Sequence, residues 1–325
     1  MKAVVYREYG APEVLQYVDV PIPEPKAEEV LIKIHASTVT LGDCELRAFR
    51  FPAFVWLPVR IMFGIFRPKR RILGQELAGT VAAVGERVTN WTVGDEVVAP
   101  TLFTLGAHAQ FVCLPVKYPI INKPTNMSFV DAATIPTGGI NALHFLRKAN
   151  IKQGEKVLII GAGGSIGTYA VQLAKYYGAE VTAVDRGSKL EMLKAIGADH
   201  VIDYVSQDYT KEKAAYDVIF DIVCVERLSK LTRMLLPHGR YLAGNPGLSR
   251  ILAAKLINYQ TKKVITGMAA YKQRDMEELK RLVEAGHIKA VIDRSYPLSQ
   301  TAEAHRYVDT GAKAGNVVIN NLAVS

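Results

Sequence analysis

Residues 155–185 read EKVLIIGAGGSIGTYAVQLAKYYGAEVTAVD. Val157 to Ile160 form a continuous apolar run bounded by turn residues and too short for a helix, the pattern of a buried strand. The glycines Gly161, Gly163 and Gly164 follow, and then Ile166, Tyr169, Ala170, Leu173 and Tyr177 recur at helical spacing. Gly178 stops that helix, and Val181 to Val184 form a second buried strand that ends on Asp185. The order strand, glycine turn, helix, strand describes a βαβ unit.

The glycine pattern is Ala162-x-Gly164-x-x-Gly167, with Gly161 and Gly163 beside it. Lacking a Cβ, these residues permit a tight turn and let a pyrophosphate lie on backbone N–H groups at a helix N-terminus. A glycine turn alone also serves plain packing. Here the strand before it, the helix after it, and an acid roughly 20 residues on agree with the dinucleotide-binding half of a Rossmann fold. Gly161, Gly163, Gly164, Ser165, Ile166, Gly167 and Asp185 are therefore the expected cofactor-binding residues.

The whole chain has 325 residues, enough for two domains. It is 49% hydrophobic and 22% charged, the composition of a packed globule and not of a disordered chain. No apolar run is long enough to span a bilayer, and Met1 leads into a strand-like segment with no signal-peptide pattern. Cys44, Cys113 and Cys224 are scattered, without metal-type spacing, and read as reduced thiols of a cytoplasmic protein. The formal charge of +9 suits anionic small molecules, while no aromatic stacking motif or DNA-reading helix points to nucleic acid.

Residues 1–122 carry short β-branched runs, at Val4–Tyr6, Val30–Ile34 and Val81–Val84, between frequent turns, which predicts a small barrel or sandwich. From residue 123 strands and helices alternate, as in a parallel sheet with crossover helices. A charged helix over Arg274–Ala285 and a strand over Val317–Asn320 close the chain, the last strand expected to rejoin the N-terminal domain.

With those segments in place, the sequence resembles the medium-chain dehydrogenase/reductase superfamily along its length. The residues that carry the resemblance are GQELAGTVAAVGERVTNWTVGDEVVAP (74–100), GAHAQFVCLP (106–115), AATIPTGGINALHFL (132–146), IGADHVIDY (196–204) and YDVIFDIV (216–223), together with the glycine turn. It is most similar to the zinc-free branch of quinone oxidoreductases and related enoyl and alkenal reductases. The resemblance implies an α/β fold in which a GroES-like β-rich catalytic domain, 1–122 completed by about 290–325, joins a doubly wound Rossmann domain, 123–289. It further implies an active site in the cleft between them, hydride transfer from NADPH or NADH, a small hydrophobic electrophilic substrate, and a homodimer.

In the zinc-dependent relatives a Cys, a His and a second Cys hold the catalytic metal. The matching positions here are Thr40 in STVTLGD, Gln75 in GQELAG and Thr137 in IPTGG. A hydroxyl and an amide are poor replacements for thiolate and imidazole at zinc, so no metal is expected. By resemblance Thr40 and Asp43 line the cleft near the nicotinamide, and either serves equally well to stabilise its own loop. Thr137 is placed in a turn opening a helix over Ile140–Lys148, against the nicotinamide. Asn245 follows a predicted strand end, where such folds bind ligands, and the resemblance implies that Asn316 approaches the cofactor from the last strand. His35 and His108 read as structural, though His108 could also donate a proton.

The evidence on the cofactor is divided. Asp185 suits the ribose hydroxyls of NAD, whereas Arg186, Ser188 and Lys189 suit the 2′-phosphate of NADP, and NADP(H) is favoured with NAD(H) still open. Three functions stay open: a reductase of quinones or activated double bonds, a nucleotide-binding protein without turnover, and an alcohol dehydrogenase-like enzyme. Residues 51–71, FPAFVWLPVRIMFGIFRPKRR, are apolar and then basic. Interrupted by Pro52, Pro58 and Arg60, they read as a loop, either a lid over the cleft or a weak contact with a membrane surface.

Overall fold

The computed structural model describes residues 1–257 and 262–322. They form two compact units. One comprises Met1–Thr137, Tyr271–Ala285 and Lys289–Ser325, and the other Gly138–Ala270 and Gly286–Ile288.

The second unit is built on a six-stranded sheet, paired in the order His200–Asp203, Glu180–Asp185, Lys156–Ile160, Tyr216–Asp221, Leu235–Ala243, Lys263–Ile265. Every pairing in it is parallel. In chain order that is 3-2-1-4-5-6, the doubly wound Rossmann arrangement. Its first strand is the run that opens the sequence argument, and Val157, Leu158 and Ile159 are wholly buried. A strand covered on both faces has no polar side to show, which is why the run does not alternate. Full burial of each such side chain contributes roughly 1.5–3 kcal/mol. The strand order reverses between Lys156–Ile160 and Tyr216–Asp221, so the crevice where such sheets bind ligands opens at Gly161.

The first unit holds a seven-stranded sheet around Glu29–Thr38, which pairs antiparallel with Glu76–Val84, Phe111–Pro115 and the C-terminal strand Asn316–Asn320. Val318 lies opposite Thr38 and Ile319 opposite Ser37. Register shifts at Leu31/Ile32 and Ile34/Ala36 bend the long strand, as a β-rich barrel requires. Apolar clusters fill this unit, one about Ile32, Leu77 and Leu114 and another about Tyr6, Leu73 and Ile319. The buried Arg47 pairs with Asp309 at 2.6 Å, tying the helix Leu41–Ala48 to the helix Thr301–Asp309.

Two segments differ from the sequence reading. The TGG stretch is not a turn: the helix runs Ile135–Ala149, with Thr137 in its first turn. Pro136 suits a first helical turn, and Gly138 serves close packing, because a Cβ on it would lie 2.8 Å from Ser165 O and from Tyr169. The segment 51–71 is not a loop either, since Ala53–Phe63 is helical with Pro58 inside it. Pro52 stands at its N-cap and Gly64, at φ +126°, ends it. Side-chain contacts outweigh the cost of the internal proline. Arg60 lies over the rings of Tyr9 and Phe49, at 4.2 and 4.3 Å, and the Tyr9 hydroxyl donates to the carbonyls of Phe63 and Gly64.

Candidate active site

The glycine turn in the second unit begins at Gly161, whose φ of +81° favours a residue without a Cβ. The helix Ser165–Tyr176 starts from Gly164, an N-cap with no side chain to close it. A Cβ on Gly164 would meet nothing nearer than Gly161 O at 3.7 Å, whereas one on Gly167 would come within 2.4 Å of Ala162 O. Gly167 is thus required for helix–strand packing, and Gly164 faces open space at the positive end of a twelve-residue helix. That is the cradle a pyrophosphate needs, and the turn fits a dinucleotide.

Asp185 is already engaged. Its Oδ2 accepts the Gly163 N–H at 2.7 Å and its Oδ1 accepts the Arg186 N–H at 2.8 Å, with Lys189 Nζ 3.1 Å from Oδ1. The acid therefore shapes the glycine turn, and Lys189 neutralises it. Arg186 and Ser188 are exposed at the rim, with Arg186 Nε donating to the Tyr204 hydroxyl. These residues come together as a group with Gly161, Gly163, Gly164, Ser165, Ile166 and Gly167. Asn245 is exposed just beyond the strand Leu235–Ala243.

Sequence reasoning missed Asp221, Tyr241 and Arg250. Asp221, buried at the C-terminal end of the strand Tyr216–Asp221, accepts from the Cys224 N–H, the Tyr241 hydroxyl and Arg250. Burial raises the Tyr241 phenol far above its ordinary range, so it stays protonated and donating. The acid in YDVIFD was visible; its cation, 29 residues later, had no local mark.

In the first unit Thr40 and Asp43 form a capping box at the start of the helix Leu41–Ala48. The Thr40 hydroxyl donates to Asp43 Oδ2 at 2.7 Å and accepts from the Asp43 N–H and from Gln75 Nε2. Asp43 Oδ1 accepts the Gly74 N–H at 3.0 Å. Both side chains are buried, and what they hold is the loop itself. Asn316 is likewise committed, its backbone and side-chain N–H groups donating to Val291 O.

The residue beside Gln75 is the one the sequence left unmarked. Glu76 is buried, its Oε1 accepting from the Thr38 hydroxyl and its Oε2 accepting the Thr137 N–H at 2.6 Å. The Thr137 hydroxyl adds a further hydrogen bond to the same carboxyl. Burial pushes Glu76 up to about 7 against these stabilising donors, with a smaller push from the Asp43 charge. Through the pair Gln75–Glu76, Thr40 and Thr137 belong to one hydrogen-bonded group. Next to it His108 Nε2 meets Thr38 O at 3.2 Å, and its ring stands edge-on to that of His305 at 5.4 Å. Burial holds His108 below its usual value and His305 well below, so both are neutral at pH 7. His35, bonded to the Thr80 hydroxyl, is structural.

This donor set does not fit zinc. The matching positions carry two hydroxyls and an amide, and Thr40 and Gln75 hydrogen-bond to each other. Among the described residues no group of three His, Cys, Asp or Glu side chains could hold a metal ion.

Family models match both halves of the chain: the alcohol dehydrogenase GroES-like domain over residues 26–125, and a model described as zinc-binding dehydrogenase over 196–319. The chain is 31% identical to the chloroplast envelope quinone oxidoreductase homolog of Arabidopsis thaliana, covering 98% of each. The chain belongs to the medium-chain dehydrogenase/reductase family, in its quinone oxidoreductase-like branch. It is also 31% identical to an NAD-dependent alcohol dehydrogenase of Sulfurisphaera tokodaii, over 98% of this chain and 99% of that one. Among solved structures, the quinone oxidoreductase from Coxiella burnetii superposes with a TM-score of 0.87 at 28% identity, over 98% of this chain and 99% of that chain. A member of this family is an oxidoreductase that works with a nicotinamide nucleotide.

Proposed function

We propose that this chain reduces quinones or the activated double bonds of α,β-unsaturated carbonyls, with NADPH as the preferred hydride donor. The observation that carries the reading is the identity and bonding of Thr40, Gln75 and Thr137. An alcohol dehydrogenase needs an electrophile to stabilise a developing alkoxide. A hydroxyl whose proton is given to Asp43 and an amide donating to that hydroxyl supply none of comparable strength. A quinone or enone spreads the incoming charge over a conjugated system, and neutral donors suffice for it.

Bound NADPH supplies the hydride. The protein positions the donor and handles the proton. The first turn of the helix Ser165–Tyr176, opened by Gly164, offers backbone N–H groups for the pyrophosphate, and Lys189, paired with Asp185, cancels the acid that would repel a 2′-phosphate. Glu76 takes the role of proton store. Near neutrality it exists in both forms, and when protonated it donates back towards Thr137, releasing the Thr137 hydroxyl to donate elsewhere. Thr40 and Asp43 act as positioning residues that hold Gln75 in place.

The test is a screen of NADPH and NADH oxidation with ortho- and para-quinones, enones and enoyl thioesters, beside the reverse assay with NADP+ or NAD+ and plain alcohols. Turnover of quinones or enones with NADPH is the expected result. Steady oxidation of ethanol or another simple alcohol, with quinones and enones inert, overturns the assignment. Tight NADPH binding with no acceptor reduced leaves a nucleotide-binding protein.

A further inference from the structure

We propose that the helix Ala53–Phe63 and the basic run after it form a docking surface for anionic lipid, on which the protein lies without crossing the bilayer. The helix has two unlike faces. Val55, Val59, Arg60 and Phe63 turn towards the first unit and are half-buried, the Arg60 guanidinium resting on Tyr9, Phe49 and Trp56. Phe54, Leu57 and Ile61, at helical spacing on the opposite side, are exposed, and Ile65 and Phe66 extend the same apolar surface. Phe66 is 89% exposed, and Phe103 from another loop lies exposed nearby. Large apolar side chains gathered in this way mark an interaction surface.

The charge says what covers it. From residue 46 to residue 75 the sequence contains no acid, and Arg67, Lys69, Arg70 and Arg71 are exposed at one end of the helix. A cavity of about 420 Å³ opens between the two chemistries, lined by Met62, Phe63, Lys69, Arg70 and Phe103. Apolar side chains flanked by lysine and arginine match the boundary between acyl chains and phosphate headgroups. The helix has eleven residues, and among the described residues no helix is long and apolar enough to cross a membrane, so the geometry is that of a segment lying in the interface. The hydrogen bonds of Tyr9 to Phe63 O and Gly64 O fix the segment on its own unit, and that of Lys69 Nζ to Ile61 O closes the segment on itself. A docking surface needs that rigidity, whereas a lid would have to give it up.

The experiment is co-sedimentation of the full chain with vesicles of phosphatidylcholine alone or with phosphatidylglycerol, at physiological ionic strength, with tryptophan emission recorded in parallel. Binding to the mixed vesicles and not to phosphatidylcholine is expected, with a blue shift from the half-exposed Trp56. The double variant Leu57→Ser/Phe66→Ser should lose binding, and Arg70→Gln/Arg71→Gln should lower partitioning on the order of 20-fold, both melting like the wild type. No binding to anionic vesicles overturns the proposal, as does equal binding by the Leu57→Ser/Phe66→Ser variant. If instead that variant only converts a dimer to a monomer in sedimentation velocity, the surface belongs to a second copy of this chain and the lipid reading fails.

Discussion

Lys189 Nζ lies 3.1 Å from Asp185 Oδ1, and both side chains are buried beside the glycine turn. On the proposed NADPH reading, the pair lets an acid at the end of the second strand coexist with a phosphate-bearing ribose. Asp185 spends its oxygens on the Gly163 and Arg186 N–H groups, and Lys189 removes its net charge. Replacing Lys189 by Ala should therefore raise the KM for NADPH by roughly tenfold, the worth of one charge-assisted hydrogen bond, and change that for NADH far less. Equal effects on the two cofactors in steady-state assays would contradict the assignment.

The two glycines of the turn should separate binding from stability. At Gly164 the backbone is extended, at φ −92°, and the nearest atom to an added Cβ is 3.7 Å away. Gly164→Ala should fold with an unchanged melting temperature and bind both nucleotides more weakly, because the methyl group occupies the pyrophosphate's path. Gly167→Ala drives a Cβ into the Ala162 backbone at 2.4 Å and should cost on the order of 1–3 kcal/mol of stability. Thermal melts and nucleotide titrations of both variants check the contrast.

Glu76 makes stability depend on pH. Its native value of about 7 lies above the ordinary 4.5, so the folded protein binds that proton more tightly than the unfolded chain. The contribution is present below pH 4.5 and is lost as pH rises through 7, by about 3 kcal/mol for a shift of this size. Glu76→Gln keeps acceptor and donor atoms in place without the charge. Its melting temperature should gain on the wild type between pH 5 and pH 8. A gap that stays constant over that range would show that Glu76 does not titrate there.

The same substitution bears on the proton store. With Glu76 titrating near 7, turnover in the wild type should fall as pH rises past neutrality, while Glu76→Gln should be slower and flatter with pH. An unchanged profile would leave water as the sole proton source.

Metal removal is a further check. With Thr40, Gln75 and Thr137 at the positions that hold zinc in metal-dependent relatives, activity should survive prolonged chelation, and elemental analysis should find zinc far below one per chain. Stoichiometric zinc whose removal abolishes turnover would refute this.

The sequence by itself determined the nucleotide-binding unit and the chemistry missing from the other. A buried strand, a glycine turn and an amphipathic helix are local patterns, legible at Val157–Ile160, Gly161–Gly167 and Tyr169–Tyr177, because backbone sterics and side-chain period act over a few residues. Thr40 and Gln75 carry their meaning in residue type alone. Tertiary structure decided what those residues touch. Glu76 meets Thr137 across 61 positions and Arg47 meets Asp309 across 262, and no local pattern marks such partners. It decided equally that 53–63 is a helix. The prolines at 52 and 58 argue for a loop, and the seating of Arg60 on Tyr9, Phe49 and Trp56 outweighs them, since packing overrides local propensity wherever a side chain finds enough partners.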